Sequence, residues 1–149
     1  MEELQVSWLP SYGPEMRGVT ANCNVILSDD PVGSPIITEP DVLIAMNLPS
    51  LQKYVNSVAK GGQIYVDSSL IDAKVERDDV DVFYIPATQI AKDEGIGTLA
   101  NMIITGKLLK EVEQLGFDGI DAPLSKVVSA RRQNLLEVNK TALKLGYDY

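Results

Sequence analysis

The side chains best suited to chemistry lie close together near the start of the chain, in Ser11-Tyr12-Gly13-Pro14-Glu15-Met16-Arg17-Gly18. Arg17 is a planar cation of the kind that grips a phosphate or carboxylate through paired N–H donors. Gly13 and Gly18 would let a ligand approach the backbone. Ordering Ser11, Tyr12, Glu15 and Arg17 in one short loop is costly in rotamer freedom, which favours a binding loop. The same residues also suit a tight connection between strands, with Glu15 and Arg17 paired and Tyr12 over the edge of the core. Two amides further along could serve a ligand, Asn47 after an apolar strand and Asn101 near a helix start; each could equally well cap a helix or bond internally.

What the chain lacks is as telling. It has no histidine, which removes the usual general base and the commonest metal ligand. Cys23 is the one cysteine, so these residues form neither an internal disulfide nor a thiolate-ligated iron–sulfur cluster. Reacting groups near this chain are therefore expected to come from a partner or a cofactor, and Cys23 is expected to be a small buried strand residue. Asp29 and Asp30 read as a solvated turn, and Arg131-Arg132 as a solvated pair.

Net charge is −8, from 21 acidic and 13 basic residues. This opposes binding to nucleic acid or an anionic membrane, and no apolar run approaches the ~18 residues of a bilayer span. The expected setting is cytoplasmic.

The elements that must position these residues follow from periodicity. A first strand runs into the proline- and glycine-rich loop, and alternation resumes from Val19 to Ile26, with Val25 to Ser28 completing that strand. After the Asp29–Gly33 turn, Ser34 to Ile37 is expected to return as a short strand. Val42 to Met46 reads as a strand buried on both faces. Asn47 caps a helix carrying Pro49 in its first turn, with Leu51, Tyr54, Val55 and Val58 inward and Gly61-Gly62 at its end.

Gln63 to Asp67 completes a right-handed βαβ unit. This brings Asn47 and the Asp67-Ser68-Ser69 tail to the carboxyl ends of parallel strands, where α/β sheets place ligands. Val82 to Ile85 is another strand, and Thr88 to Glu94 a short helix. Gly95-Ile96-Gly97-Thr98-Leu99-Ala100 fits the G-x-G-x-x-A spacing but follows no strand, so a loop with a Thr98 cap is expected. Helices are expected over 98–115, 124–130 and 134–145. Leu99, Met102, Ile103, Leu109 and Val112 line the first, and Leu135, Val138, Ala142 and Leu145 the last, with Gly146 as its stop. Gly106 inside a helix implies close packing against a neighbour. No repeat or linker interrupts the 149 residues, so one domain is expected. Its class is α/β, three layers around a mostly parallel sheet, with an antiparallel hairpin from the opening region.

Taken as a whole, the run 10–18, followed by Thr20-Ala21-Asn22-Cys23, resembles the signature of the gamma subunit of 2-oxoacid:ferredoxin oxidoreductases. Ile26-Leu27-Ser28-Asp29-Asp30-Pro31, Glu39 to Asn47, Ala100-Asn101-Met102, and Asn139, Ala142 and Gly146 fit the same pattern. The resemblance implies a non-redox component of an assembly that oxidatively decarboxylates a 2-oxoacid to its acyl-coenzyme A. It implies alpha, beta and ferredoxin-like delta subunits as partners, with thiamine diphosphate and iron–sulfur clusters in those sister chains. Ser11, Tyr12, Gly13, Glu15, Arg17, Gly18, Asn47 and Asn101 are the expected ligand contacts, on the side where coenzyme A enters. The chain has Val19 where the family pattern has a second glycine, and it lacks the family's initial strand and Gly-Gly-Gln-Gly turn. It is therefore expected to be truncated relative to the family, or completed by another chain. Its sheet would then have an open edge that recruits a second copy when the protein is isolated. A stand-alone ligand-binding module or a scaffold subunit would share the same fold.

Overall fold

Strand β4 (Gln63–Asp67) forms the middle of a three-stranded parallel sheet, flanked by β3 (Val42–Ala45) and β5 (Asp81–Ile85). The structure is a computed structural model that describes residues 4–11, 21–112, 115, 117–128 and 133–149, without the side chains of Val127 and Gln133. Ile64, Tyr65, Val66 and Asp67 are all fully buried, because β4 is paired on both edges and covered on both faces. Side chains alternate across the sheet and feed two cores. On one face Tyr65, Phe83 and Ile85 pack with Ala91, Ile103 and Ile104. On the other, Ala45, Ile64 and Val66 pack with Leu51, Val58 and Ile71. The fold is thus the expected three-layer α/β arrangement.

Helix α1 (Leu48–Tyr54) follows β3 and starts as expected, with Asn47 Oδ1 accepting the Ser50 amide at 2.9 Å and Pro49 in the first turn. It ends sooner than its apolar spacing predicts: the chain tightens into a 3-10 turn at Val55–Ser57. Arg77 explains how that end is held. Its Nη1 donates to the carbonyls of Val55 (2.9 Å) and Val58 (2.8 Å), while Nε and Nη2 donate to the two carboxylate oxygens of Asp79, each at 2.8 Å. One guanidinium thereby satisfies carbonyls left over at the helix end. The bond from Arg77 holds the Asp79 carboxyl below its ordinary value. Gly61, at φ +76°, makes the left-handed turn into β4.

Helix α2 (Ala87–Asp93) follows β5, and α3 (Ala100–Glu111) crosses the same face. The expected Thr98 cap is not formed. Leu99 occupies the N-cap position without a side-chain hydrogen bond, and its carbonyl accepts from the Met102 and Ile103 amides. The deeply buried positions of α3 are Ala100, Ile103, Ile104 and Gly106, whereas Met102 and Leu109 are only half-buried. Helix α4 (Asp121–Val127) begins three residues before its expected start, with Pro123 within its first turn, where a missing N–H costs nothing. Lys140 in α5 (Gln133–Asp148) ties α4 down through Asp121 at 2.7 Å.

Gly146 does not stop α5. Added Cβ atoms at Gly106 and Gly146 would strike the backbone carbonyls of Leu143 and Ile103 respectively. Each helix therefore offers a glycine to the carbonyl of the other, three residues from its own contact carbonyl. This reciprocal approach is what the glycines serve, and the helix runs on past Gly146 because backbone contact, not a turn, selects glycine there. It also turns Leu143 inward and leaves Leu135 exposed, against the expected stripe.

Two further expectations fail. Ser34 to Ile37 is not a strand; Ser34 Oγ instead accepts the Ile36 amide in a local turn, and Ile36 is exposed. Strand β3 is not buried on both faces, since it lies at an edge of the parallel sheet and Ile44 is exposed. The opening region does form the expected antiparallel hairpin, β1 (Gln5–Ser11) with β2 (Asn22–Ser28), as a separate two-stranded sheet.

Candidate functional site

The carboxyl ends of β3, β4 and β5 carry Asn47, Asp67 and the segment Pro86 to Thr88. Asp67 is the centre of a closed network. Its Oδ2 accepts from the Thr88 hydroxyl at 2.6 Å and the Thr88 amide at 3.2 Å, and its Oδ1 accepts the Ser69 amide at 3.0 Å. The Ser69 hydroxyl in turn accepts the Gln89 amide at 3.0 Å. Pro86 gives α2 no side-chain cap. Asp67 and Ser69 supply the cap from a neighbouring strand, satisfying amides that a helix start otherwise leaves unpaired. The Asp67-Ser68-Ser69 tail, at the carboxyl end of β4 as expected, thus serves as a structural joint between β4 and α2.

Asn47 is exposed, and its side-chain oxygen is engaged by the Ser50 amide, so it caps α1. Asn101 is exposed one residue into α3, where its carbonyl accepts the Thr105 hydroxyl at 2.9 Å. No hydrogen bond joins Asn47, Asp67 and Asn101 among the described residues. Ser11 closes β1, exposed and paired in register with Asn22. Asn22 Nδ2 donates to the Tyr54 hydroxyl at 2.7 Å, which ties this end of the hairpin to the end of α1. Tyr12, Gly13, Glu15, Arg17 and Gly18 lie outside the described residues, as do Arg131 and Arg132.

At the opposite, amino edge of the sheet, a cleft of about 240 Å³ is lined by Asp41, Lys60, Gly62, Gln63, Glu111 and Val112 among others. Its volume falls below the range of pockets that enclose drug-sized ligands. Beneath it the Tyr65 ring stacks on Phe83, centroids 4.9 Å apart, and its hydroxyl donates to Gln63 Oε1 at 2.9 Å. Burial, with Glu111 and Asp81 adding to it, pushes the Tyr65 hydroxyl far above the ordinary tyrosine value. The raised value means that the unfolded chain gives up this proton first. Stability from Tyr65 is therefore intact below about pH 10 and declines as pH rises from there toward the folded value. Subtracting the alkaline absorbance titration of Tyr65→Phe from that of the unmodified protein should leave a curve displaced well above pH 10. A difference curve centred near 10 would contradict this environment.

Sequence reasoning missed Arg77 and Thr88. Both act through contacts between segments that no local spacing reveals. It also misjudged Cys23, which is exposed: the hairpin face that carries it points away from the two cores.

The architecture has known counterparts. A family model described as pyruvate ferredoxin/flavodoxin oxidoreductase matches residues 1–149. The chain belongs to this family. Among curated members of the pyruvate ferredoxin/flavodoxin oxidoreductase family, it is 35% identical to ketoisovalerate oxidoreductase subunit VorA of Methanothermobacter thermautotrophicus, over 99% of this chain and 31% of that protein. It is 36% identical to 2-oxoglutarate synthase subunit KorC of the same organism, over 91% of this chain and 74% of that one. The chain thus spans about a third of the ketoisovalerate relative and about three quarters of the 2-oxoglutarate relative. The solved gamma subunit of a keto/oxoacid ferredoxin oxidoreductase from Geobacter sulfurreducens superposes with a TM-score of 0.77 at 25% identity, covering 97% of this chain and 79% of that one. A 2-oxoglutarate:ferredoxin oxidoreductase from Magnetococcus marinus, solved with 2-oxoglutarate, coenzyme A and succinyl-CoA, shares the fold at a TM-score of 0.79 and 19% identity, over 97% of this chain and 25% of that one.

An iron–sulfur cluster needs about four thiolates and this chain has one. Among the described residues no group of three or more His, Cys, Asp or Glu is placed to hold a metal ion. The residues present therefore do not fit a cluster. No helix among the described residues is long and apolar enough to cross a membrane.

Proposed function

We propose that this chain is the gamma-type, non-redox component of a cytoplasmic 2-oxoacid:ferredoxin oxidoreductase, contributing an interface and one wall of the site on the coenzyme A side. In the overall reaction the bond from the 2-oxoacid carbonyl carbon to its carboxylate breaks and carbon dioxide leaves. Two electrons pass to ferredoxin, and the acyl carbon forms a thioester with the coenzyme A sulfur as its thiol proton is released. Thiamine diphosphate and the iron–sulfur clusters belong to the alpha, beta and ferredoxin-like delta partners. The observation that carries this reading is the family match along residues 1–149 in a chain with no histidine and a single cysteine. Such a chain has neither the usual proton-transfer side chain nor the thiolates for electron transfer, so its part is positional.

Within it, the loop from Ser11 to Gly18 is the coenzyme-facing element, with Arg17 meeting a phosphate or carboxylate, Ser11, Tyr12 and Glu15 bonding beside it, and Gly13 and Gly18 allowing close approach. Asn47 and Asn101, exposed at the starts of α1 and α3, are the other candidate contacts. Replacing Arg17 with Ala should raise the KM for coenzyme A of the assembled enzyme by roughly 10- to 100-fold, the effect of losing one charge-assisted contact, while the subunits still assemble. An unchanged KM for coenzyme A would reject this role for the loop.

A further inference from the structure

On the functional reading above, the β1–β2 hairpin carries the coenzyme-facing loop, so whatever fixes the hairpin also fixes the loop. A two-stranded hairpin is at best marginally stable by itself in water. None of its residues belongs to either core around the parallel sheet. The segment that follows it, residues 29–41, forms no helix or strand and is mostly exposed. Among the described residues, a single hydrogen bond joins the hairpin to the body of the domain, from Asn22 Nδ2 to the Tyr54 hydroxyl at 2.7 Å. Asn22, Asn24, Ile26 and Ser28 are half-buried and alternate with exposed residues, so the more sheltered side of β2 is the one that makes this bond.

The place of that bond is what gives it weight. Ser11 and Asn22 form the last pair of the ladder, so the loop leaves the hairpin at one of them and returns at the other. A contact that fixes Asn22 therefore fixes both ends of the loop. Tyr54 can serve as such a fixed point because it is the last residue of α1, and its carbonyl accepts the Ser57 hydroxyl at 2.8 Å. The turn beyond it is tied by Arg77 to the carbonyls of Val55 and Val58, and Arg77 is itself paired with Asp79. Lys53 Nζ lies 5.0 Å from the centre of the Tyr54 ring, a cation–π contact on the same turn. Tyr54 belongs to neither core, so the cores do not depend on its hydroxyl. We propose that Tyr54 is a positioning residue for coenzyme A use: by accepting from Asn22 it sets the foot of the Ser11–Gly18 loop against the end of α1. This rests on the functional reading above and deepens it by naming what places the loop. A loop whose ends are fixed before its ligand arrives loses less freedom on binding, and so binds more tightly.

Tyr54→Phe removes only the accepting oxygen and keeps the ring, and it is measured in the assembled oxidoreductase. The KM for coenzyme A should rise roughly 5-fold, the size of one neutral hydrogen bond, with kcat within about twofold of the unmodified enzyme. Hydrogen exchange in the peptides that carry Ser11 and Asn22 should quicken by roughly 3-fold, while exchange in β4 stays as it was. Asn22→Ala should raise the same KM, and Tyr54→Phe should add nothing in that background, because the two residues share one contact. A purely structural tyrosine would instead quicken exchange in β4 and leave the KM for coenzyme A alone, which would overturn the assignment. If Arg17→Ala raises that KM and Tyr54→Phe does not, the positioning role is wrong while the functional reading stands. If neither variant changes it, the functional reading falls and this inference with it. Full additivity of Tyr54→Phe and Asn22→Ala would mean that the two residues act separately, and would overturn the route through Asn22.

Discussion

Gly106→Ala should unfold this protein more easily by about 3 kcal/mol, lowering its melting temperature by roughly 10 °C. The sign is the instructive part. At an exposed helix interior the same change gains up to ~1 kcal/mol, because alanine is the better helix former. At Gly106 the new methyl group would meet the Leu143 carbonyl, and a backbone atom cannot rotate aside as a side-chain tip can. The helices must separate, and the contacts of Ile103, Ile104, Ala142 and Leu143 loosen together; all four are buried. A loss of that size is a sizeable fraction of the 5–15 kcal/mol that holds a typical domain folded. Gly146→Ala should behave alike, through the Ile103 carbonyl. The double variant should cost clearly less than the sum, since the first methyl already opens the seam the second would strike. Urea denaturation checks all three, and a rise in stability for either single variant would refute the contact.

Asp67→Ala carries the second large effect, again about 3 kcal/mol, for a different reason. The carboxylate is fully buried and accepts from the Thr88 hydroxyl, the Thr88 amide and the Ser69 amide. Removing it deletes hydrogen bonds to a charged group and leaves buried donors without partners, which costs more than the bonds themselves contribute. Asp67→Asn is the discriminating variant. Its carbonyl oxygen can still serve one side of the joint, but its NH₂ faces donors on the other, so a loss about half as large is expected. Thr88→Val, which deletes only the hydroxyl donor, should cost about 1 kcal/mol and add little to Asp67→Ala, since both act on the same contact. Full additivity in denaturation experiments would mean that the two residues do not share the joint.

Much of the architecture was legible from pattern. The short apolar run at Gln63 to Asp67 read as the second strand of a βαβ unit, and its bounds agree with β4, whose central place in the sheet only the structure shows. The Asn47 and Pro49 pair announced the start of α1, because a cap and a proline act within a single turn. Helix ends were less readable. Gly146 looked like a stop since glycine commonly follows a helix, yet the residue is there for a carbonyl on another helix. Thr98 looked like a cap since threonine often is one, but the loop places Leu99 there instead. Of the candidate site, Asn47, Asn101 and Ser11 could be placed on their elements. Their grouping depends on how separate elements are brought side by side, which residue type alone does not encode.

Taken alone, the order of residues determined the fold class, the alternation of the opening strands, the hairpin and the absence of histidine and cysteine clusters, because these depend on local period and on which chemical groups are present at all. It also placed a glycine in α3 as a point of close packing. Only the tertiary structure decided that the partner of Gly106 is Leu143, that Asp67 caps a helix begun some twenty residues later, and that Arg77 holds the end of α1. It alone decided that the hairpin face carrying Val6, Trp8, Val25 and Leu27 is the more exposed one. Alternation specifies that a strand has two faces, but the placement of the sheet against its two cores chooses which of them is left outside.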